Sequence, residues 1–79
     1  MFLSKTKEVR PMLRLTRERE RRGWSKAALA RSASLDQALM SKIESGRVRP
    51  YPAELQRLAE ALGWPTADIT RLMDDVQDA

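Results

Sequence analysis

Two positions that favour the start of a helix lie eleven residues apart and leave little freedom in how the middle of this chain folds. Ser25 and Asp36 are both good N-cap residues, because their side-chain oxygens can accept a hydrogen bond from an otherwise unpaired N–H in a first helical turn. The interval predicts two short helices separated by a tight turn at residues 32–35, the second helix covering residues 37–45. Apolar residues stand at the two positions of a hydrophobic staple around both starts: Trp24 and Leu29, then Leu35 and Met40.

Proline and glycine divide the rest of the chain. Pro11 fits the first position of a helix that stops at Gly23, and Pro52 fits the first position of another that stops at Gly63. A fifth helix is predicted to start near Pro65 or Thr66. Because no alternating run of β-branched residues predicts a strand, we expect an all-α fold of five helices. Apolar residues recur at helical spacing in the last two helices: Leu55, Leu58, Ala59 and Leu62, then Ile69, Leu72, Met73 and Val76.

The size and composition of the chain exclude several classes of protein. Seventy-nine residues provide for a single domain, and no stretch approaches the roughly 20 apolar residues of a membrane span, so a cytoplasmic protein is expected. The sequence contains no Cys and no His. It therefore lacks disulfides, thiolate or imidazole metal ligands and the commonest general base, and we expect no enzyme, no metal and no cofactor.

Charge is divided unevenly between the two parts of the chain. Residues 1–49 hold 13 Lys and Arg against 5 Asp and Glu, whereas residues 50–79 hold 2 against 6. A basic part joined to an acidic part indicates one surface that faces a polyanion and a second surface with another role.

Two short helices with a tight turn and a capped second helix form a helix-turn-helix pattern. The residues in this pattern are Ser25-Lys26-Ala27-Ala28-Leu29-Ala30, Leu35 and Met40-Ser41-Lys42-Ile43-Glu44-Ser45-Gly46. They resemble the phage-repressor family (Xre, or lambda-repressor-like) of helix-turn-helix domains, with the resemblance covering roughly residues 13 to 70, and this resemblance implies a compact five-helix DNA-binding domain. Three residues depart from the family pattern: Lys26 replaces a Gln, Ser34 replaces a turn Gly, and Asp36 stands where Ser or Thr is common.

The resemblance implies that the first turn of the third helix enters the major groove of DNA. Gln can bind adenine through two hydrogen bonds, Lys can donate to guanine, and an Ala methyl group can contact that of thymine. The expected base contacts are Gln37, Ala38 and Lys42. The expected phosphate contacts are Lys26, Arg47 and Arg49. Leu39 has two open interpretations, contact with a thymine methyl group or packing beside the second helix.

Other residues receive structural roles. Arg19 and Glu44 match a family pair that links the first helix to the end of the third. Residues 1–10 are interpreted as an N-terminal arm, for which disorder and a reach along DNA are the alternatives. Residues 11–79 form the domain, and its last helix is predicted to dimerise through Leu72, Met73 and Val76. The residues assigned to the core are Trp24, Ile43, Leu55, Leu58 and Leu62.

The leading functional hypothesis is a transcriptional regulator, a homodimeric repressor that binds double-stranded DNA at a palindromic operator. An antitoxin with a toxin partner, or a restriction-modification controller, is an alternative within the same fold. A protein-interaction module that has lost DNA binding is a third hypothesis, and the charge of the basic part argues against it.

Overall fold

Four α-helices, a 3-10 helix and two short strands make up the part of the chain that the computed structural model describes, residues 10–78. Of the predicted N-terminal arm, only Arg10 falls within this part, and it belongs to a strand. In chain order the elements are β1 (Arg10–Leu13), α1 (Arg14–Arg21), α2 (Lys26–Ser32), α3 (Gln37–Glu44), α4 (Pro52–Leu62), the 3-10 helix (Thr66–Met73) and β2 (Asp75–Asp78).

The two predicted caps are confirmed. The Ser25 hydroxyl accepts a hydrogen bond from the Ala28 amide at 3.0 Å. One carboxylate oxygen of Asp36, Oδ2, accepts from the amides of Ala38 at 3.0 Å and Leu39 at 3.4 Å. Each side chain therefore satisfies N–H groups that a helix start leaves without a partner.

The turn between α2 and α3 is closed by backbone and side-chain hydrogen bonds. Ser34 adopts a left-handed conformation with φ 57°, and the Leu35 amide donates to the Ala30 carbonyl at 2.7 Å. Arg57 on α4 donates through Nε to the Ala33 carbonyl at 3.0 Å. The turn is thus attached to the helix behind it.

The predicted ends of α3 and α4 are also confirmed. Gly46 and Gly63 have φ of 83° and 69°, a region that a residue without Cβ enters at little cost. Pro52 is the first residue of α4, where its missing N–H leaves no bond unmade. The Tyr51 amide before it donates to the Glu54 carboxylate at 2.9 Å.

The core lies where α1, α2, α3, α4 and the 3-10 helix meet. Arg22 connects the end of α1 to the end of α4, because its guanidinium donates to the Leu62 carbonyl at 2.5 Å and to the Glu18 carboxylate at 3.0 Å. The largest fully buried side chains are Leu15, Leu29, Met40, Ile43, Leu58 and Leu72.

The prediction that a helix begins at Pro11 is wrong. Pro11 lies in β1, and α1 begins at Arg14. Met12 and Leu13 instead pair antiparallel with Val76 and Asp75 of β2. This pairing satisfies backbone groups that a helical turn would otherwise have used, and it holds residues 10–13 extended.

The prediction that the fifth helix is an α-helix reaching Val76 is wrong, although the five helices of residues 10–78 fit the predicted all-α class. Residues 66–73 form a 3-10 helix with a kink at Asp68 (φ −118°, ψ 24°), and residues 75–78 form β2. The Trp64 indole donates to the Asp68 carbonyl at 2.9 Å, across this kink. The molecule is nevertheless mostly helical.

The apolar stripe that predicted a dimer interface is therefore not formed. Leu72 is fully buried in the core of its own chain, and Val76 on β2 is 9% exposed. Met73, the third residue of the predicted interface, packs against the core and is partly buried. Leu72 has no surface to offer a partner, because the tighter helix and the strand turn it and Val76 inward.

Candidate nucleic-acid interface

Helix α3 presents one face to the core and one to solvent. Met40 and Ile43 are fully buried. Gln37, Ala38 and Lys42, the three predicted base contacts, are exposed. Ala38 and Lys42 stand one turn apart and share a face, and Gln37 is beside Ala38 in the first turn. The predicted base contacts are therefore all accessible on the solvent side of α3.

The end of α3 is fixed by the predicted pair of Arg19 and Glu44. Arg19 donates to both carboxylate oxygens of Glu44, through Nε to Oε2 at 2.8 Å and through Nη2 to Oε1 at 3.0 Å. Its remaining Nη1 donates to the Trp24 carbonyl at 2.7 Å, in the loop that leads into α2. One guanidinium thus joins α1, the start of α2 and the end of α3, and this part of the prediction is confirmed.

The pair is buried, with 10% of the Arg19 side chain and 4% of the Glu44 side chain exposed. The hydrogen bond to Glu44 raises the pKa of Arg19, burial partly opposes this, and the negative charges of Glu44 and Glu20 add to the rise. A raised pKa means that the stabilisation is fully present below the ordinary pKa of arginine and is lost only above the raised value. The titration of Arg19 therefore leaves the position of α3 unaffected at neutral pH.

A shallow depression of about 270 Å³ brings together three of the predicted DNA contacts. Lys26 comes from the first turn of α2, Lys42 from the last turn of α3, and Arg47 from the loop that follows. All three side chains are exposed. Three cations from three different elements around one concave surface form an electrostatically favourable site for a polyanion. Two serines, Ser41 and Ser45, complete the lining.

Not every predicted contact lies in this depression. Gln37 and Ala38 stand at the opposite end of α3 from Arg47, and Arg49 lies exposed further along the loop. Leu39 is partly buried and packs against the core, which favours the packing interpretation over contact with a thymine methyl group.

Sequence reasoning missed the two serines of the depression. The Ser45 hydroxyl donates to the Lys42 carbonyl at 3.1 Å and so caps the end of α3. Ser41 is half-buried, one turn after Gln37 on the same face of the helix. Its spacing from Gln37 was the signal that could have identified it.

The described residues show no feature of two other kinds of site. Within residues 10–78, no helix is long and apolar enough to cross a membrane. In the same part of the chain, no cluster of three or more acidic side chains is placed to hold a metal ion.

Helix α3 is capped and exposed, follows α2 across a tight turn and has cations on its solvent side. This arrangement defines a helix-turn-helix DNA-binding domain. The chain belongs to the helix-turn-helix domain family, whose model matches residues 13–72. No curated protein matches the sequence. The matched range excludes nearly all of β1 and all of β2.

Proposed function

We propose that this chain is a transcriptional regulator, a homodimeric repressor that binds double-stranded DNA at a palindromic operator and reads its major groove with α3. The observation that carries the proposal is the convergence of Lys26, Lys42 and Arg47 beside the exposed face of a capped helix. Membership of the helix-turn-helix family supports it. We propose no catalytic role.

The proposed contacts divide into two groups. Gln37 and Ala38 in the first turn of α3, with Lys42 one turn later, read base edges through hydrogen bonds and methyl contact. Lys26, Arg47 and Arg49 bind phosphates and set the position of the helix. The Lys26 charge adds to the favourable environment that the start of α2 offers an anion.

A homodimer is proposed because one α3 presents few base-reading side chains. Two copies on two half-sites about one helical turn apart double the number of contacts. Of the three residues first assigned to the interface, only Met73 is partly exposed, whereas Leu72 and Val76 are buried. We therefore retain Met73 as an interface residue and assign Leu72 and Val76 to the core.

The proposal is tested by measuring DNA binding as a function of salt, on an operator selected from random DNA. If the dimer neutralises about 4 to 6 phosphates, log K falls against log salt with a slope of about −4 to −5. Lys26→Ala and Arg47→Ala should each make that slope shallower by about 1 for each contact removed.

Arg31→Ala is the matched control, because Arg31 is exposed on α2 like Lys26 but does not line the depression. It should leave the slope nearly unchanged. A slope near zero for the unmodified protein would contradict DNA binding itself.

A further inference from the structure

Within residues 10–78 the sheet is a ribbon of only two strands, β1 and β2, and the direction of the backbone groups on its outer edges follows from its register. The Arg14 amide donates to the Asp74 carbonyl at 2.8 Å, directly beside the paired residues Leu13 and Asp75. Hydrogen-bonded and non-hydrogen-bonded pairs alternate along an antiparallel ladder. The even-numbered residues of the ribbon are therefore the hydrogen-bonded ones, and the backbone N–H and C=O groups of Asp75 and Gln77 point away from β1.

The position of Pro11 agrees with this parity. Pro11 pairs with Gln77, which the alternation makes a non-hydrogen-bonded pair. Proline has no N–H to donate, so it is tolerated on the outer edge of a ribbon. For the same reason the outer edge of β1 is a poor template, and it ends at Leu13, the N-cap of α1. The edge of the ribbon that can accept a strand is that of β2.

Charge opposes the pairing of this edge with its own copy. An antiparallel pair of β2 strands joined through Asp75 and Gln77 would place Asp74 of one copy opposite Asp78 of the other, and would do so twice. A shift by two residues would place Asp75 opposite Asp75. Like charges directly opposite each other destabilise a strand pair, and edge charges are a common means of preventing self-association.

We propose that the edge of β2 binds an extended segment of a partner protein in which basic residues alternate with apolar ones. Residues 64–79 hold four Asp and one Arg, and Asp74 and Asp75 are exposed. A segment added to β2 would meet Asp75 on the solvent side and buried Val76 on the core side. Backbone hydrogen bonds supply the affinity in such strand addition, and alternate side chains supply the selectivity.

The test uses the full chain and a synthetic eight-residue peptide that alternates lysine with valine, with a glutamate–valine peptide as its control. At millimolar lysine peptide, hydrogen exchange at the amides of Asp75 and Gln77 should slow at least tenfold. The amides of Met12 and Val76 already bond within the ribbon and should change little. The glutamate peptide should produce no protection.

Two variants separate edge binding from other effects. Gln77→Pro removes an outward N–H and no inward bond, so it should abolish peptide binding and leave the thermal unfolding midpoint nearly unchanged. Val76→Pro, the matched control, removes an inward bond and should lower that midpoint. Asp75→Lys, on the solvent side where the lysines of the peptide would lie, should reverse the preference and favour the glutamate peptide, a result that does not depend on how Gln77→Pro folds.

Three outcomes would overturn the proposal. The first is unchanged hydrogen exchange at the amides of Asp75 and Gln77 in millimolar lysine peptide, in which case the carboxylates only prevent the edge from pairing with other strands. The second is equal protection by both peptides. The third is protection in the free chain that grows with its own concentration, which would identify a second copy as the occupant. The first two outcomes do not bear on DNA binding, and the third would move the proposed dimer interface from Met73 to β2.

Discussion

Ser34 is the one residue other than glycine with positive φ in residues 10–78, at 57°. The left-handed region costs an L-residue about 1–2 kcal/mol, and glycine avoids that cost but loses about 0.5–1 kcal/mol through its more flexible unfolded chain. We expect Ser34→Gly to raise the free energy of unfolding by about 0.5–1 kcal/mol in urea titrations. The side chain is exposed, so little packing is lost.

Ser32→Gly is the control for this prediction, because Ser32 is exposed and helical in α2. The same substitution should lower stability there, since glycine is a poor helix former. A loss of stability in Ser34→Gly would show that the turn does not hold residue 34 in the left-handed region.

At the same scale, Gln37 and Lys26 should behave differently. Both are exposed, but only Gln37 lies in the first turn of α3. Gln37→Ala should lose about 1–3 kcal/mol of binding free energy at the preferred operator and relax the preference at one base position in each half-site. Lys26→Ala should lower the affinity for all DNA sequences about equally, because a phosphate contact carries no sequence information.

This distinction is measured by repeating binding-site selection with each variant. Ala53→Ser, at an exposed position of α4 outside the site, is the control for effects that a substitution has without changing a DNA contact. The opposite result would be that Gln37→Ala reduces the affinity for every DNA sequence by the same factor while Lys26→Ala changes the preferred base. In that case Lys26 would be the base-reading residue and Gln37 the phosphate contact.

At the scale of elements, the 3-10 helix is bound to the core through Leu72. This side chain is fully buried, whereas Met73 beside it is partly exposed. Leu72→Ala should therefore destabilise the fold by about 2–5 kcal/mol, and Leu72→Asp should unfold it. Met73→Ala should cost clearly less, about 1 kcal/mol.

Circular dichroism and urea unfolding of the three variants measure these effects. Met73→Asp should remain folded and weaken self-association if Met73 contributes to the dimer. A folded, helical Leu72→Asp monomer would contradict the burial of Leu72 and restore it to the interface.

At the scale of the whole molecule, the proposed homodimer implies an operator with two half-sites. We expect two chains to bind each palindrome, with half-site centres about 34–36 Å apart along the DNA. Insertion of five base pairs between the half-sites rotates one of them by about half a helical turn, and it should weaken binding at least tenfold. Titration followed by sedimentation gives the stoichiometry, and a single half-site is the control. One chain per palindrome, with the affinity of a single half-site, would contradict the dimer.

The sequence alone was sufficient for α2, α3 and α4, because their signals are local. A capping side chain lies within three residues of the amides that it satisfies, as at Ser25 and Asp36, and apolar spacing within one helix marks its buried face. The candidate site was predicted for a related reason. Charges next to a capped helix are visible in the sequence, and the family resemblance supplied both the assignment of DNA contacts and the pairing of Arg19 with Glu44.

Tertiary structure alone decided the two ends of the domain. Residues 10–13 have no β-branched residue and residues 75–78 have only Val76, which is too little to indicate strands. Each segment is extended because the other satisfies its backbone groups. That pairing moved the start of α1 from Pro11 to Arg14 and turned Leu72 and Val76 into the core. The convergence of Lys26, Lys42 and Arg47 also required the fold, since packing alone sets the distances between side chains on three different elements.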